Sequence, residues 1–249
     1  MSGRQTSLPI FPHGPDTAHL SSHSSHPLEH SFSDRLLRHP LFIGFSRLDF
    51  LDIVGVTPFD FKTYAQGHYI VRQYDPCEKV CLLLSGLVSI ECEDPTRTFR
   101  LLEEIDCSAV LNPSRIYGLH THYTHSCVAK GKVMVAWLDK VAFSHLLATY
   151  PAFRINFLNY LSSYIQNVEA AIWDPRKEDA ATRFAAFVRH RCLRPIGKKV
   201  LHIKMEDLAT EIGLTRLRVS HMLAQLKAQG LLTYTRGIIS IYAIEHLPL

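Results

Sequence analysis

The sequence lacks any apolar run near the ~18 residues a membrane-spanning helix needs, although 47% of its residues are apolar. Its opening lacks the basic-then-apolar order of an export signal, so a cytoplasmic protein with no membrane partner is expected. Paired CxxC spacing is also missing. The six cysteines, Cys77, Cys81, Cys92, Cys107, Cys127 and Cys192, stand apart, which excludes the common zinc motifs and leaves reduced thiols in or near cores. There is no glycine loop to cradle phosphate, no nucleophile elbow and no paired metal motif, so an enzyme is not expected.

Acidic residues are scarce in the last third. From Arg176 to Leu249 there are 13 Lys/Arg against 6 Asp/Glu, whereas Asp34 to Pro175 carries 13 against 15. The positive charge is therefore concentrated at one end, as in a polyanion-binding domain joined to a neutral one.

Core-forming residues are few over residues 1–33, where Ser, His and Pro dominate, and that stretch reads as a disordered tail. Its histidines, His13, His19, His23, His26 and His30, lack the fixed geometry of a metal site. Short helices are expected near Asp34–Arg38 and Arg47–Val54. A series of short strands follows. "KVCLLLSGLVSIECE" reads as a hairpin turning at Ser85-Gly86, and Val133, Val135 and Trp137 alternate with period 2. Strands this short and this frequent suggest a small barrel or jelly roll over 34–150.

The pattern turns helical after Lys140, and Pro151 opens a long helix over 151–174. Phe157, Leu161, Tyr164 and Val168 are spaced as a coiled-coil seam, and Leu158, Ile165 and Ile172 form a second apolar face. One face can pack on the roll and the other on a second copy of the chain; the seam on Phe157 is taken as the dimer interface. Pro175 ends or kinks this helix, and a last domain spans 175–249.

That domain has a compact logic. A helix near Glu206–Ile212 carries the small Ala209, which lets a second helix cross closely. Gly213 suits a tight turn because positive φ costs it little. Thr215 can cap the next helix. Val219, Met222, Leu223 and Leu226 make one buried stripe, Gly230 ends the helix, and "LLTYTRGIISIYA" forms a hairpin wing around Gly237. Helix, turn, helix and wing make a winged helix-turn-helix. With Val219 inward, Leu217, Ser220 and His221 face outward, flanked by Arg216 and Arg218. Arg can grip guanine O6 and N7, Leu217 can meet a thymine methyl, and His221 can donate to a base or phosphate. Thr215, the helix N-terminus, Thr235 and Arg236 are placed for the phosphate backbone.

In the order and spacing of its parts the chain from about residue 36 to 249 resembles the cyclic-AMP receptor protein/FNR (CRP/FNR) family of bacterial transcription regulators. "PLFIGFSRLDFLDIV" resembles its leading helices, "YAQGHYIVRQYDPCEKVCLLLSGLVSIECE" its β-roll, the long helix its dimer helix, and "DLATEIGLTRLRVSHMLAQLKAQGLL" its recognition module. The resemblance implies an α+β architecture: a cyclic-nucleotide-binding-like jelly-roll, a dimerisation helix and a winged helix-turn-helix. It also implies a homodimer on near-palindromic double-stranded DNA, a sensory roll that controls it, and RNA polymerase as the machinery it acts on.

Two departures matter. The family's recognition helix commonly reads bases through Arg, Glu and Arg; the matching positions here carry Arg216, Leu217 and His221, so only the first is kept. The segment "EEIDCSAVLNPSRIYGLHTHYTHSCVAKG" lacks the family's Gly-Glu, and its only arginine, Arg115, is not followed by Ser or Thr. Cyclic AMP is therefore not the expected signal. With no cysteine before Cys77, an iron–sulfur cluster of the FNR kind is not expected either. Haem remains a candidate, with Cys107, His120, His122 and His125 as possible axial ligands. Thiol oxidation at Cys77 or Cys107 is another, Cys77 being expected at an exposed turn. A regulator without ligand is a third. The competing class is a haem- or small-molecule-binding roll in which DNA binding is secondary.

Overall fold

The computed structural model describes residues 27–106, 108–172 and 179–248. Two helices, α1 (Pro27–Leu37) and α2 (Arg47–Val56), lead into eight strands. These are β1 (Asp60–Tyr64), β2 (Tyr69–Val71), β3 (Lys79–Ser85), β4 (Val88–Glu93), β5 (Phe99–Ile105), β6 (Ala109–Val110), β7 (Ser126–Ala129) and β8 (Val133–Asp139). Then come α3 (Lys140–Thr149) and the long α4 (Pro151–Ile172). The last domain holds α5 (Ala180–Arg189), β9 (Lys199–Ile203), α6 (Met205–Glu211), α7 (Arg216–Ala228), β10 (Leu232–Thr235) and β11 (Ile238–Ile241).

Strands β1, β8, β3 and β6 form one sheet in that order. Its two faces serve different cores, because side chains alternate across a strand. Val80, Leu82 and Leu84 of β3, with Met134, Ala136 and Leu138 of β8, pack under the helices against Phe143, Phe153 and Leu36. Cys81, Leu83, Val133 and Val135 point the other way, into the roll, against Ile90 and Cys127. Both faces of β3 and β8 are buried, which is why their sequences run nearly continuously apolar.

Three expectations need correction. Helix α1 begins at Pro27 rather than Asp34, and its Phe32 ring lies 5.0 Å from that of Phe61, so Phe32 belongs to the folded unit and not to a tail. The remaining tail residues and the break at Pro175 lie outside the described residues. Second, β3 and β4 do not pair. Instead β3 lies between β8 and β6, while β4 lies between β5 and β7. Ser85-Gly86 is a corner where the chain changes sheets. Gly86 has φ +101°, and a Cβ there would stand 2.5 Å from the Lys132 carbonyl oxygen, so the crossing needs glycine. Third, β9 had no counterpart in the sequence reading.

Strand β9 changes the architecture. It pairs with β11 of the wing on one side and with β5 of the roll on the other. A single seven-stranded sheet, β10-β11-β9-β5-β4-β7-β2, therefore runs from the winged domain into the roll. Phe99 and Leu101 of β5 are buried in the winged domain's own core with Phe187, Leu201 and Ile203. The Phe99 and Phe187 rings meet edge-on at 5.4 Å, a favourable aromatic geometry.

Candidate functional site

Helix α7 is held from one side and open on the other. Val219, Met222, Leu223 and Leu226 are buried against α5 and α6. Thr215 caps it: its side chain accepts the Arg218 backbone N–H at 3.3 Å. Gly213 takes φ +64° at the turn, and Arg183 of α5 donates to the carbonyl of Gly213 at 3.2 Å and to that of Ile212 at 3.4 Å. The turn is thus stapled by a cation from a neighbouring helix. At its other end the Leu231 and Gly230 N–H groups close on the carbonyls of Leu226 and Lys227, a Schellman stop.

The open face carries what the sequence reading placed there. Thr215, Arg216, Leu217, Arg218, Ser220 and His221 are all exposed, as are Thr235 and Arg236 in the wing. Leu217 is 70% exposed and presents an apolar side chain on this face. Arg216 approaches Glu206 at 3.5 Å, with both side chains more than 70% exposed. Such a pair is worth ~0–1 kcal/mol, so it leaves the guanidinium available.

Between α6, α7 and the wing lies a cleft of about 490 Å³ lined by Lys204, Arg216, Arg236 and Glu206. Three cations against one carboxylate suit an anionic backbone. Lys204 was missed in the sequence, because it precedes α6 as its N-cap residue and belongs to neither the recognition helix nor the wing hairpin. Its place between β9 and α6, beside the wing turn, becomes visible only once β9 is known.

The residues offered for an effector are not gathered. His120 and His122 are exposed on the loop before β7. His125 is buried, its Nδ1 2.7 Å from Thr124 Oγ1 and 3.4 Å from Asn112 Oδ1. Burial, with the Arg115 charge nearby, brings its pKa down to about 4. Cys107 lies outside the described residues. Among the described residues no group of three or more His, Cys, Asp or Glu is arranged to hold a metal ion. The roll's interior is occupied by Tyr123, Cys77, Cys81 and Cys127 among aliphatic side chains.

Cys77 is buried, 2% exposed, rather than at an open turn. Its backbone N–H is tied to the Thr121 carbonyl at 2.7 Å, which draws the turn under the loop. Burial raises its thiol pKa and that of Cys81, and pushes Cys127 up to about 12.

Of the seam expected to form the dimer, the first two residues lie against the chain's own roll. Phe157 is buried beneath the roll and Leu161 packs against the same core. Ile155, Leu158 and Ile165 are each about half exposed. Tyr164 sits at the margin between the faces, and the Val168 side chain lies outside the described residues. Phe157 is drawn into the roll's core by Phe143, whose ring it meets edge-on at 5.0 Å and which in turn meets Phe153.

Two family models match. Residues 61–150 match a cyclic nucleotide-binding domain, and residues 182–247 match a Crp-like helix-turn-helix domain. Among curated relatives, the global nitrogen regulator of Synechocystis sp. is 24% identical over 194 residues, covering 73% of this chain and 84% of that protein. The global nitrogen regulator of Synechococcus elongatus is 25% identical over 201 residues, covering 76% and 88%. Among solved structures, the catabolite activator protein of Thermus thermophilus superposes with a TM-score of 0.50 at 20% identity, covering 81% of this chain and 93% of that one. No described helix is long and apolar enough to cross a membrane.

Proposed function

Because this chain belongs to the CRP/FNR family of transcriptional regulators, we propose that it acts as a homodimer that binds a near-palindromic DNA site and answers to a signal other than cyclic AMP. The observation that carries the DNA reading is the division of α7. One face is locked into a core, while Arg216, Leu217, Arg218, Ser220 and His221 stand exposed beside the cationic cleft. Arg216 and His221 read base edges, Leu217 meets a thymine methyl, and Thr215, Lys204, Thr235 and Arg236 hold phosphates.

Dimerisation places two such helices on one duplex. The exposed stripe Ile155, Leu158 and Ile165 on α4 is the surface for it, since apolar side chains on a long helix gain by pairing with a second copy. Paired readers engage half-sites about 34 Å apart, one turn of the double helix. RNA polymerase is the machinery on which the bound dimer acts.

The exclusion of cyclic AMP is supported by the sequence between Glu103 and Lys130, which has no Gly-Glu and whose only arginine, Arg115, is not followed by Ser or Thr. Haemin and a mild oxidant are the first signals to try. The test is selection of duplexes from a random pool by the purified protein, with sedimentation of the complex. Enrichment of a two-part motif bound by two copies is expected. Enrichment of no sequence at moderate salt rejects the reading.

A further inference from the structure

The sheet that joins the two domains ends in a buried ion pair. Strands β5 and β9 are paired from Phe99↔Ile203 through Leu101↔Leu201 to Glu103↔Lys199. These three pairs form the inward rows, apolar except at the last position. There Lys199 Nζ stands 3.1 Å from Glu103 Oε2, with the two side chains only 1% and 3% exposed. The groups around them are satisfied. Glu103 Oε1 accepts the Leu193 N–H at 2.5 Å, Oε2 accepts the Arg194 N–H at 3.2 Å, and Lys199 Nζ donates to the Ile196 carbonyl at 2.7 Å.

Glu103 therefore holds three donors from the winged domain while its strand belongs to the roll. Removing either charge leaves the other buried without its counter-charge, so the pair makes the seam all-or-none. The strand that carries it leads within a few residues into β6 and the 112–115 turn, and its Ile105 is buried in the roll's core. A shift of β5 by one residue would turn its whole inward row outward. The reading face of α7 is exposed while the seam is closed, so closure does not work by covering it.

We propose that the β5–β9 seam is a latch, closed by Glu103 and Lys199, that fixes the orientation of the DNA reader on the sensory roll. It rests on the reading above that two copies hold one operator. In the latched state both readers are pre-set for a two-part site. When the Glu103–Lys199 end of the seam parts, the reader stays folded on Phe99 and Leu101 but loses its fixed bearing on the roll.

The experiment uses the full chain and the duplex it selects from a random pool, beside the same duplex with one half scrambled. Glu103→Gln and Lys199→Met are compared with the parent by hydrogen exchange and by binding. Faster exchange in Phe99–Glu103 and Lys199–Ile203 is expected, with about tenfold or greater loss on the two-part duplex and no change on the scrambled one. Unchanged exchange, an equal loss on both duplexes, or tighter binding to the two-part duplex would overturn the latch. Should those variants fail to fold, Arg100→Cys with His202→Cys places thiols on opposed, outward positions of the seam. Its oxidised form is expected to keep full two-part affinity, and loss of binding on oxidation overturns the proposal. A parent protein that enriches no duplex sinks the DNA reading itself, and the latch with it.

Discussion

The Phe157 ring lies 5.0 Å from the ring of Phe143 and crosses it at 84°, inside the core that α3 and α4 share with the roll. Around the helix axis from that buried face, Leu158 and Ile165 are each 49% exposed. Neighbouring positions on α4 thus have opposite duties, and substitutions should separate them. Leu158→Glu with Ile165→Glu is expected to give folded monomers with weak operator binding, read by sedimentation. Phe157→Ala should instead lower the roll's stability by about 3–5 kcal/mol through the cavity it leaves, read by thermal melting. A dimer that survives both glutamates would place the interface elsewhere.

Base reading and phosphate holding should also come apart. Arg216→Ala is expected to cost about 1–3 kcal/mol on the selected duplex and to relax preference at one base pair. Arg236→Ala and Lys204→Ala should weaken binding evenly across sequences and reduce the slope of log affinity against log salt by about one unit each. An Arg216→Ala protein with an unchanged selected motif would remove Arg216 from the readout. Thr215→Ala acts by a third route, since its hydroxyl caps α7. Its cost of about 1 kcal/mol should appear in stability as well as in binding.

The reader was legible because its signals are local. A small residue, a turn glycine, a cap and a stripe at helical spacing lie within a short stretch, and each has one physical meaning. The roll was legible as a set of short strands, but not in its pairing, because a corner and a hairpin turn both use glycine. Whether Gly86 closes a hairpin or changes sheets depends on Lys132 and Val133, which come much later in the chain. The latch was illegible for a related reason. Lys199, Leu201 and Ile203 alternate inward, yet a lysine at the head of that row reads as a loop residue until Glu103 is set opposite it. The two faces of α4 look alike in composition, and only the aromatic socket on the roll decides which is buried.

Burial governs the thiols. Cys77, Cys81 and Cys127 share the roll's interior, where burial pushes their thiols up, Cys127 to about 12, and so disfavours the reactive thiolate. Cys192 is raised to about 12 by burial and then by the nearby Glu103 charge. Cys92 is only partly buried, although burial raises it too. Iodoacetamide at pH 8 should therefore spare Cys77, Cys81 and Cys127 until denaturant is added, with Cys92 labelled sooner, followed by mass spectrometry of the peptides. Rapid labelling of Cys77 in the native protein would bring it back as an oxidant sensor.

Two buried histidines contribute to the response to acid. His39 Nδ1 accepts the Leu41 N–H at 3.3 Å and therefore has to be unprotonated there. Burial holds its pKa at about 4, and burial with the Arg115 charge does the same for His125. In the unfolded chain both return to about 6.5. Between pH 6.5 and 4 the unfolded state consequently binds more protons than the folded one, so stability falls as pH falls through that window. Above 6.5 neither histidine contributes a slope, and below 4 their effect is complete. Denaturant midpoints measured from pH 7.5 to 4.5 should decline, and His39→Gln or His125→Gln, each starting from its own lower stability, should decline less steeply. If either variant kept the parent's full slope, that histidine would not be the buried neutral group the geometry requires.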